Sequence, residues 1–255
     1  MQVEGLQFDQ WAALYREVRP TYPAAVYRAL LAALGVERLA LAVDLGAGAG
    51  QSVAGLLPIA DRVIGVEPSA ALRAEAAALY PGARFVAGTG EAMPIETGAA
   101  SAVTVANAFY WMDMPAALRE VDRVLARPGA FMTYKYDFPR VHDSKADRVL
   151  RTHLGQHWDA HRSRKLTDHD PTADLMRASG VFAEVTTPVV PYTIAYSARG
   201  FAAFMSSTSY VRGYTDGVAD RAAYLERFAA ELAAAAGSDQ LAVTLVLFLN
   251  VGVKR

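Results

Sequence analysis

Short apolar runs alternate with amphipathic stretches along most of this chain, and the spacing predicts strand and helix in turn. Apolar residues on both sides of Asp44 suit a strand covered on both faces. Strands are predicted at about 41–44, 62–67, 83–87, 102–106 and 130–135, with helices at about 51–57, 70–79 and 115–125 between them. An amphipathic helix over 22–34 opens at Pro23, a residue suited to the first helical position. This alternation argues for an α/β fold, a doubly wound parallel sheet with its ligand at the strand C-termini. Two further strands, near 182–190 and 241–251, read as a closing antiparallel hairpin. About fifty residues, 191–240, interrupt it; that is too long for a plain loop and predicts helices of a cover. The apolar run 241–253 is too short to span a bilayer and rich in β-branched residues, so a buried strand is expected. Ala-rich pieces at 70–78 and 229–236 are good helix formers.

Between the first predicted strand and helix lies Asp44-Leu45-Gly46-Ala47-Gly48-Ala49-Gly50. Three glycines on alternate positions allow a tight turn with no side chains between backbone and ligand. The helix after them presents an N-terminus that favours negative charge. One helix later, Val63-Ile64-Gly65-Val66-Glu67-Pro68 ends a strand on an acid placed to accept hydrogen bonds from a ribose diol. Together these predict binding of a nucleoside-containing small molecule. A tight turn beside a solvated Glu67 would leave the same pattern. The spacing is G-x-G-x-G, whereas a dinucleotide fingerprint is G-x-G-x-x-G, which disfavours NAD.

Composition sets the bounds. The chain has 255 residues, enough for one α/β domain with a sizeable core. At 53% hydrophobic and 20% charged it is an ordinary globular sequence. A net charge of −1 gives no global attraction to nucleic acid or anionic membrane. The absence of cysteine removes disulfides, thiolate catalysis and Cys-ligated metal. The N-terminal residues do not have a signal-peptide layout, so a cytoplasmic location is expected. The basic run His161-Arg162-Ser163-Arg164-Lys165, followed at once by Asp168, His169 and Asp170, reads as a solvated loop or helix end.

Several motifs in order resemble one family. They are Phe8-Asp9, Ala12, Tyr15, Arg19-Pro20 and Tyr22-Pro23; the glycine turn; Gly65 to Ser69; Gly88-Thr89-Gly90-Glu91-Ala92-Met93-Pro94; Asn107-Ala108-Phe109-Tyr110-Trp111-Met112-Asp113; and Arg123 to Gly129. In order and spacing the chain is similar to class I S-adenosylmethionine-dependent methyltransferases of the methyltransferase domain 11 type, the small-molecule group that includes trans-aconitate-methyltransferase-like proteins. The resemblance implies a Rossmann-like, seven-stranded, mostly parallel sheet with an antiparallel C-terminal hairpin and a helical substrate cover. It implies one domain over 1–255, with an N-terminal cap segment at 1–35. A cofactor core at about 36–135 and cover segments at about 136–180 and 191–240 complete it.

The same resemblance implies S-adenosyl-L-methionine as cofactor and S-adenosyl-L-homocysteine as product. Gly46, Ala47, Gly48 and Gly50 would approach its amino-acid end and ribose, Asp44 its ammonium, and Glu67 with Pro68 the ribose. Thr89, Gly90 and Glu91 would read adenine, while Asn107 and Ala108 would offer backbone carbonyls to the methionine part. Tyr15 and Arg19 would fold over the cofactor, Arg19 pairing with its carboxylate; Tyr15 could equally be core packing. The family often has alanine at Gly90 and aspartate at Ser101. At Tyr110 it often has histidine, so here a phenol offers either an aromatic wall or a catalytic group, and a phenol cannot act as a base near neutrality without a strongly perturbed pKa.

The implied reaction is methyl transfer to a small, apolar or aromatic and conjugated molecule, driven by proximity and alignment. The alternative is another use of the same cofactor, such as cyclisation, elimination or intramolecular attack on it. The small-molecule group and the Ala- and Arg-rich composition suggest secondary metabolism; a monomer or homodimer is expected. His142, His153, His157 and His161 are spread along a predicted helical segment. The last three recur every four residues, a spacing that cannot easily converge on one ion, so no metal is expected. Tyr134, Tyr136, Phe138, Tyr192, Tyr196, Phe201, Phe204, Tyr210 and Tyr214 are candidates to wall the acceptor, with 206–211 lying over it.

Overall fold

The computed structural model describes residues 18–163 and 170–255. Phe8, Asp9, Ala12, Tyr15, Arg164, Lys165, Asp168 and His169 lie outside the described residues. The chain begins with α1 (Ala24–Leu34), β1 (Leu39–Leu45), α2 (Val53–Leu56), β2 (Ala60–Val66), α3 (Ala70–Leu79) and β3 (Arg84–Val86). There follow β4 (Ala100–Ala106), α4 (Met114–Val124), β5 (Leu125–Tyr136), β6 (Arg140–Val141), α5 (Ser144–His153) and α6 (Thr172–Ala178). The last part comprises β7 (Glu184–Thr186), β8 (Val189–Ser197), α7 (Ala198–Ser206), α8 (Ser209–Thr215), α9 (Arg221–Ala236) and β9 (Gln240–Lys254).

These strands make one mixed sheet in the order β3-β2-β1-β4-β5-β9-β6, with β7 and β8 both paired to β9. The pairs β1–β2, β1–β4, β2–β3 and β4–β5 are parallel, and every pair involving β9 is antiparallel. Strand order reverses between β1 and β4, which opens a crevice at the C-terminal ends of β1 and β2, where ligands of such sheets bind. Burial on both faces of β1 explains its apolar residues on successive positions: Leu41, Val43 and Leu45 join one core, Ala42 the other.

The helices are set by local chemistry. Asp113 caps α4 by accepting from Ala116 N–H at 3.0 Å, and α4 buries Ala117, Leu118, Val121 and Val124 on one face. Ser69 caps α3 through Leu72 N–H at 3.1 Å. Pro23 stands at the N-cap of α1, one position before the helical site expected for it. The helix expected over 51–57 is a single turn, α2, continued by a tighter 3₁₀ turn at Leu57–Ile59 that carries Pro58. Proline lacks the N–H that an α-helix would need at that point.

The expected closing hairpin is present, but its first strand is divided into β7 and β8. Pro191, taken as the start of the insertion, lies inside β8, which pairs with β9 as far as Ser197↔Gln240. The cover proper is α5, α7, α8 and α9 around Leu150, Trp158, Phe201, Phe204 and Phe228. Helix α6, within the expected cover segment 136–180, instead packs Met176 with Phe182 and Phe131 in the core beneath the sheet. Strand β9 joins both units: Leu241, Val243 and Leu245 bury in the cover core, and Leu247, Leu249 and Val251 in the sheet core. The cover is therefore a continuation of the sheet. His142 precedes α5, and His153, His157 and His161 fall on an α-turn, a π-turn and a 3₁₀ turn, so they form no straight helical stripe.

Candidate functional site

Gly46, Gly48 and Gly50 all take positive φ (69°, 55° and 90°), the left-handed region open to glycine. The N–H groups of Gly46 and Ala47 donate to Val66 C=O at 2.8 and 3.2 Å, tying the turn after β1 to the end of β2. A methyl group added at Gly46 would lie 2.9 Å from Ala108 Cβ, whereas one at Gly48 would meet nothing within 4 Å. The turn is thus packed against protein on one side and open at its middle glycine. Glu67 is buried at the tip of β2, its Oε2 accepting from Gly48 N–H at 3.0 Å and its Oε1 from Ser69 N–H at 2.9 Å. The carbonyls of Glu67 and Pro68 accept from Arg73 Nη1 at 2.7 and 2.8 Å, which fixes the same corner.

Asp44 lies below the turn and is 1% exposed. Thr104 Oγ1 donates to its Oδ1 at 2.8 Å, while its Oδ2 is buried with no hydrogen-bond partner. Burial, reinforced by the charge of Glu67, pushes its pKa up to about 7 against the opposing hydroxyls of Thr104 and Ser52. Around it runs a hydroxyl network. Ser52 and Tyr134 hydroxyls are bonded to each other, and Tyr27 Oη donates to Ser52 C=O at 2.9 Å. Thr104, Ser52 and Tyr134 did not stand out in the sequence as partners of Asp44; the strand register Asp44↔Thr104 was the signal available.

Asn107 at the end of β4 is a non-glycine residue with φ of 51°. Its Nδ2 donates to Tyr22 Oη at 2.8 Å, its Oδ1 accepts from Tyr136 N–H at 3.3 Å, and its own N–H donates to Tyr134 C=O at 2.8 Å. Its side chain thus joins three elements. The carbonyl of Ala108 accepts from Trp111 N–H at 3.0 Å, closing the 3₁₀ turn Phe109–Trp111. At the expected adenine edge, Thr89 and Ala92 exchange backbone hydrogen bonds at 3.3 Å, and Glu91 Oε1 accepts from Asp113 N–H at 2.9 Å. A methyl group at Gly90 would meet Met112 Sδ at 2.5 Å, so alanine there would require Met112 to move.

Between this crevice and the cover is a cavity of about 280 Å³. Of the nine expected aromatics, Tyr136, Phe138, Phe204 and Tyr210 line it, and the segment 207–210 forms part of its wall. Tyr134 and Phe201 are core, and Tyr214 stacks on His157 at 4.8 Å. Tyr110 lines the cavity with Lys135 Nζ 5.9 Å from its ring centre. Arg19, expected to pair with a cofactor carboxylate, is instead directed to the cover. It donates to Ser207 Oγ at 2.8 Å and Ser207 C=O at 3.0 Å, with its guanidinium 5.5 and 5.3 Å from the Tyr136 and Phe204 rings. Arg162, assigned to a solvated basic run, lies in the cavity wall with a side chain only 20% exposed. Lys135, Asp137 and Phe248 are lining residues the sequence did not single out. His153 is satisfied by Tyr224 Oη and Glu231 Oε2, both at 2.9 Å. Among the described residues no group of three His, Asp or Glu could hold a metal ion, and no helix is long and apolar enough to cross a membrane.

Residues 43–133 match the family model described as a methyltransferase domain. An uncharacterised methyltransferase of Mycobacterium tuberculosis is 34% identical over 125 residues, covering 49% of this chain and 49% of that protein. A Dictyostelium discoideum protein named as a methyltransferase is 27% identical over 144 residues, 56% of this chain and 54% of its own length. The chain spans about half the length of the curated relatives it matches. A solved structure from Anaeromyxobacter dehalogenans, described as a type II methyltransferase, aligns with a TM-score of 0.77 at 24% identity, over 92% of this chain and 97% of that one. Another, from Anabaena variabilis and described as a methyltransferase of an antibiotic biosynthesis pathway, aligns with a TM-score of 0.56 at 14% identity over 90% and 97%. At these identities the structures establish the fold. Residues 43–133 thus carry a methyltransferase domain, on a fold shared with solved methyltransferase structures.

Proposed function

We propose that this chain transfers the methyl group of S-adenosylmethionine to a small molecule seated in the cavity between crevice and cover. The observation that carries this reading is Gly48: left-handed, open on the side where a side chain would stand, and bonded through its N–H to the buried Glu67. That arrangement supports a ribose beside Glu67 and a cofactor backbone running over the turn. The unpartnered Oδ2 of Asp44 fits the cofactor's ammonium, since a cation there would satisfy a buried oxygen that nothing else meets. When bound, the cofactor supplies a methyl already made electrophilic by its sulfonium.

The protein's contribution is then binding, alignment and exclusion of water. Glu67 and Asp44 fix two ends of the cofactor, and Asn107, held by Tyr22 and Tyr136, shapes the wall between cofactor and acceptor. Orientation of this kind can supply roughly 7–11 kcal/mol of a barrier. Tyr110 and Tyr136 serve as walls of the acceptor cavity. Calorimetric titration tests the reading. S-adenosylmethionine and S-adenosylhomocysteine are expected to bind and NAD not to, with Glu67→Ala weakening both ligands by about tenfold or more, as for loss of charge-assisted hydrogen bonds. Binding of NAD, or unchanged affinity in that variant, would remove the assignment.

A further inference from the structure

Arg162 follows the 3₁₀ turn Asp159–His161 and lines the cavity. Its guanidinium lies 5.9 Å from the centre of the Tyr210 ring, and Nη1 reaches Asp159 Oδ1 only at 3.4 Å. Its Nε is buried and has no hydrogen-bond partner. Tyr136 lines the same cavity, and its Oη is likewise buried with no partner. A buried donor without an acceptor is destabilising, more so on a charged group, and is rare enough to need an explanation. Here two such donors belong to residues that line one cavity.

The charges around them agree in sign. Arg19 and Lys135 line the cavity with Arg162, and among the described lining residues Asp137 is the one acid. Lys135 is paired with Asp170 at 3.0 Å and Arg19 is hydrogen-bonded to Ser207, so both are committed to positions in the wall. Arg162 has a donor still to place. Aromatic rings of Tyr136, Phe204 and Tyr210 make up much of the remaining lining, which suits a flat apolar body.

We propose that the acceptor bears an anionic oxygen group, a carboxylate or a phosphate, received by Arg162 Nε–H with Tyr136 Oη–H, while its apolar body lies against those rings. This rests on reading the cavity as the acceptor pocket, and it adds a charged group to the small, apolar or aromatic and conjugated acceptor expected from the sequence. The arginine fork matches an oxyanion where a lysine would act as a point charge.

The test uses three probes on the intact chain loaded with S-adenosylhomocysteine: cinnamate, phenyl phosphate and the neutral cinnamamide. Calorimetry is expected to show at least one anion binding about tenfold or more tighter than the amide, the gain of a charge-assisted hydrogen bond. The tighter of the two anions identifies the group. In Arg162→Gln the preference is expected to fall within about threefold, and in Arg162→Lys to be intermediate, because a lysine keeps the charge and loses the fork. Affinity for S-adenosylhomocysteine is expected to stay the same in both variants, which shows that they are folded. Equal binding of acid and amide, a preference that survives Arg162→Gln, or no binding of any probe would each overturn the proposal. Failure of S-adenosylhomocysteine to bind would sink the cofactor assignment alone; the probes, added without it, still decide on the anion site.

Discussion

Gly48 gives its backbone N–H to Glu67 Oε2 at 3.0 Å, so the middle glycine of the first turn and the acid at the tip of the neighbouring strand form one unit. The parallel register Leu45↔Val66 brings the two strand ends side by side. This corner of the site is built by the pairing of β1 with β2 alone.

Two glycine substitutions separate folding from binding. At Gly48 an added methyl meets nothing within 4 Å, so only the left-handed backbone opposes it, at about 1–2 kcal/mol. At Gly46 the same backbone cost is joined by a contact of 2.9 Å with Ala108 Cβ, and overpacking of that kind adds about 1–3 kcal/mol. Urea unfolding should therefore rank Gly46→Ala as the less stable variant. Affinity for S-adenosylmethionine should nevertheless fall sharply in Gly48→Ala, whose methyl would enter the open space proposed for the ligand. Full-strength binding by Gly48→Ala would place the ligand elsewhere.

Asp44 predicts a slope of stability with pH. Burial raises its folded-state pKa to about 7, above the value of about 3.9 for an unfolded aspartate. Between those values the folded state holds a proton that the unfolded state has lost, so stability falls as pH rises from about 4 to 7 and levels off above that. Asp44→Asn has no such proton and should lack the slope, becoming relatively more stable than the parent at pH 8 than at pH 5. Ligand binding should show the opposite preference, because a cationic ammonium favours the ionised carboxylate. S-adenosylmethionine is then expected to bind tighter as pH rises toward 7, releasing a proton at pH 6 that calorimetry in two buffers of different ionisation enthalpy would detect. A parent and variant with parallel stability profiles would show that Asp44 is ionised throughout.

Arg19 distinguishes two roles the sequence could not. Its two hydrogen bonds to Ser207, and its place beside the Tyr136 and Phe204 rings, tie Arg19 itself to the cover. Arg19→Ala should accelerate amide exchange across 204–210 by more than it weakens S-adenosylmethionine binding. A large loss of cofactor affinity with unchanged exchange would restore the carboxylate pairing that the family resemblance implies.

The sheet core was legible because its signals are local. The run around Asp44, the glycine turn and the acid at Glu67 each carry their own periodicity or backbone demand. The cavity was less so, since it is assembled from residues far apart in sequence whose surroundings only the fold supplies. Arg162 sits in a run of charges that reads as solvated, yet α8 brings Tyr210 against it. Phe248 alternates correctly with buried Leu247 and Leu249, so a strand pattern marks it as outward-facing and says nothing of the cavity beside it. Pro191 reads as a break, but it stands at the position paired with Val246, where β8 forms an edge that tolerates a missing N–H.

The cover has its own polar centre, at Tyr224. Its hydroxyl accepts from Trp158 Nε1–H at 2.9 Å and lies 2.9 Å from His153 Nδ1. The Glu231 carboxylate can only accept, so His153 donates to it through Nε2–H, and in the neutral ring Nδ1 then accepts the Tyr224 hydroxyl proton. Burial pushes the Tyr224 pKa up to about 12, which keeps that proton in place across the working range. Tyr224→Phe removes one oxygen and strands two buried partners, the Trp158 N–H and the His153 ring nitrogen. At about 1–3 kcal/mol for each of two unsatisfied groups, the variant should lose on the order of 2–6 kcal/mol, well beyond an ordinary hydroxyl deletion. Chemical denaturation followed by tryptophan fluorescence would measure it. A loss under about 1 kcal/mol would mean that water replaces the hydroxyl and that this centre is open to solvent.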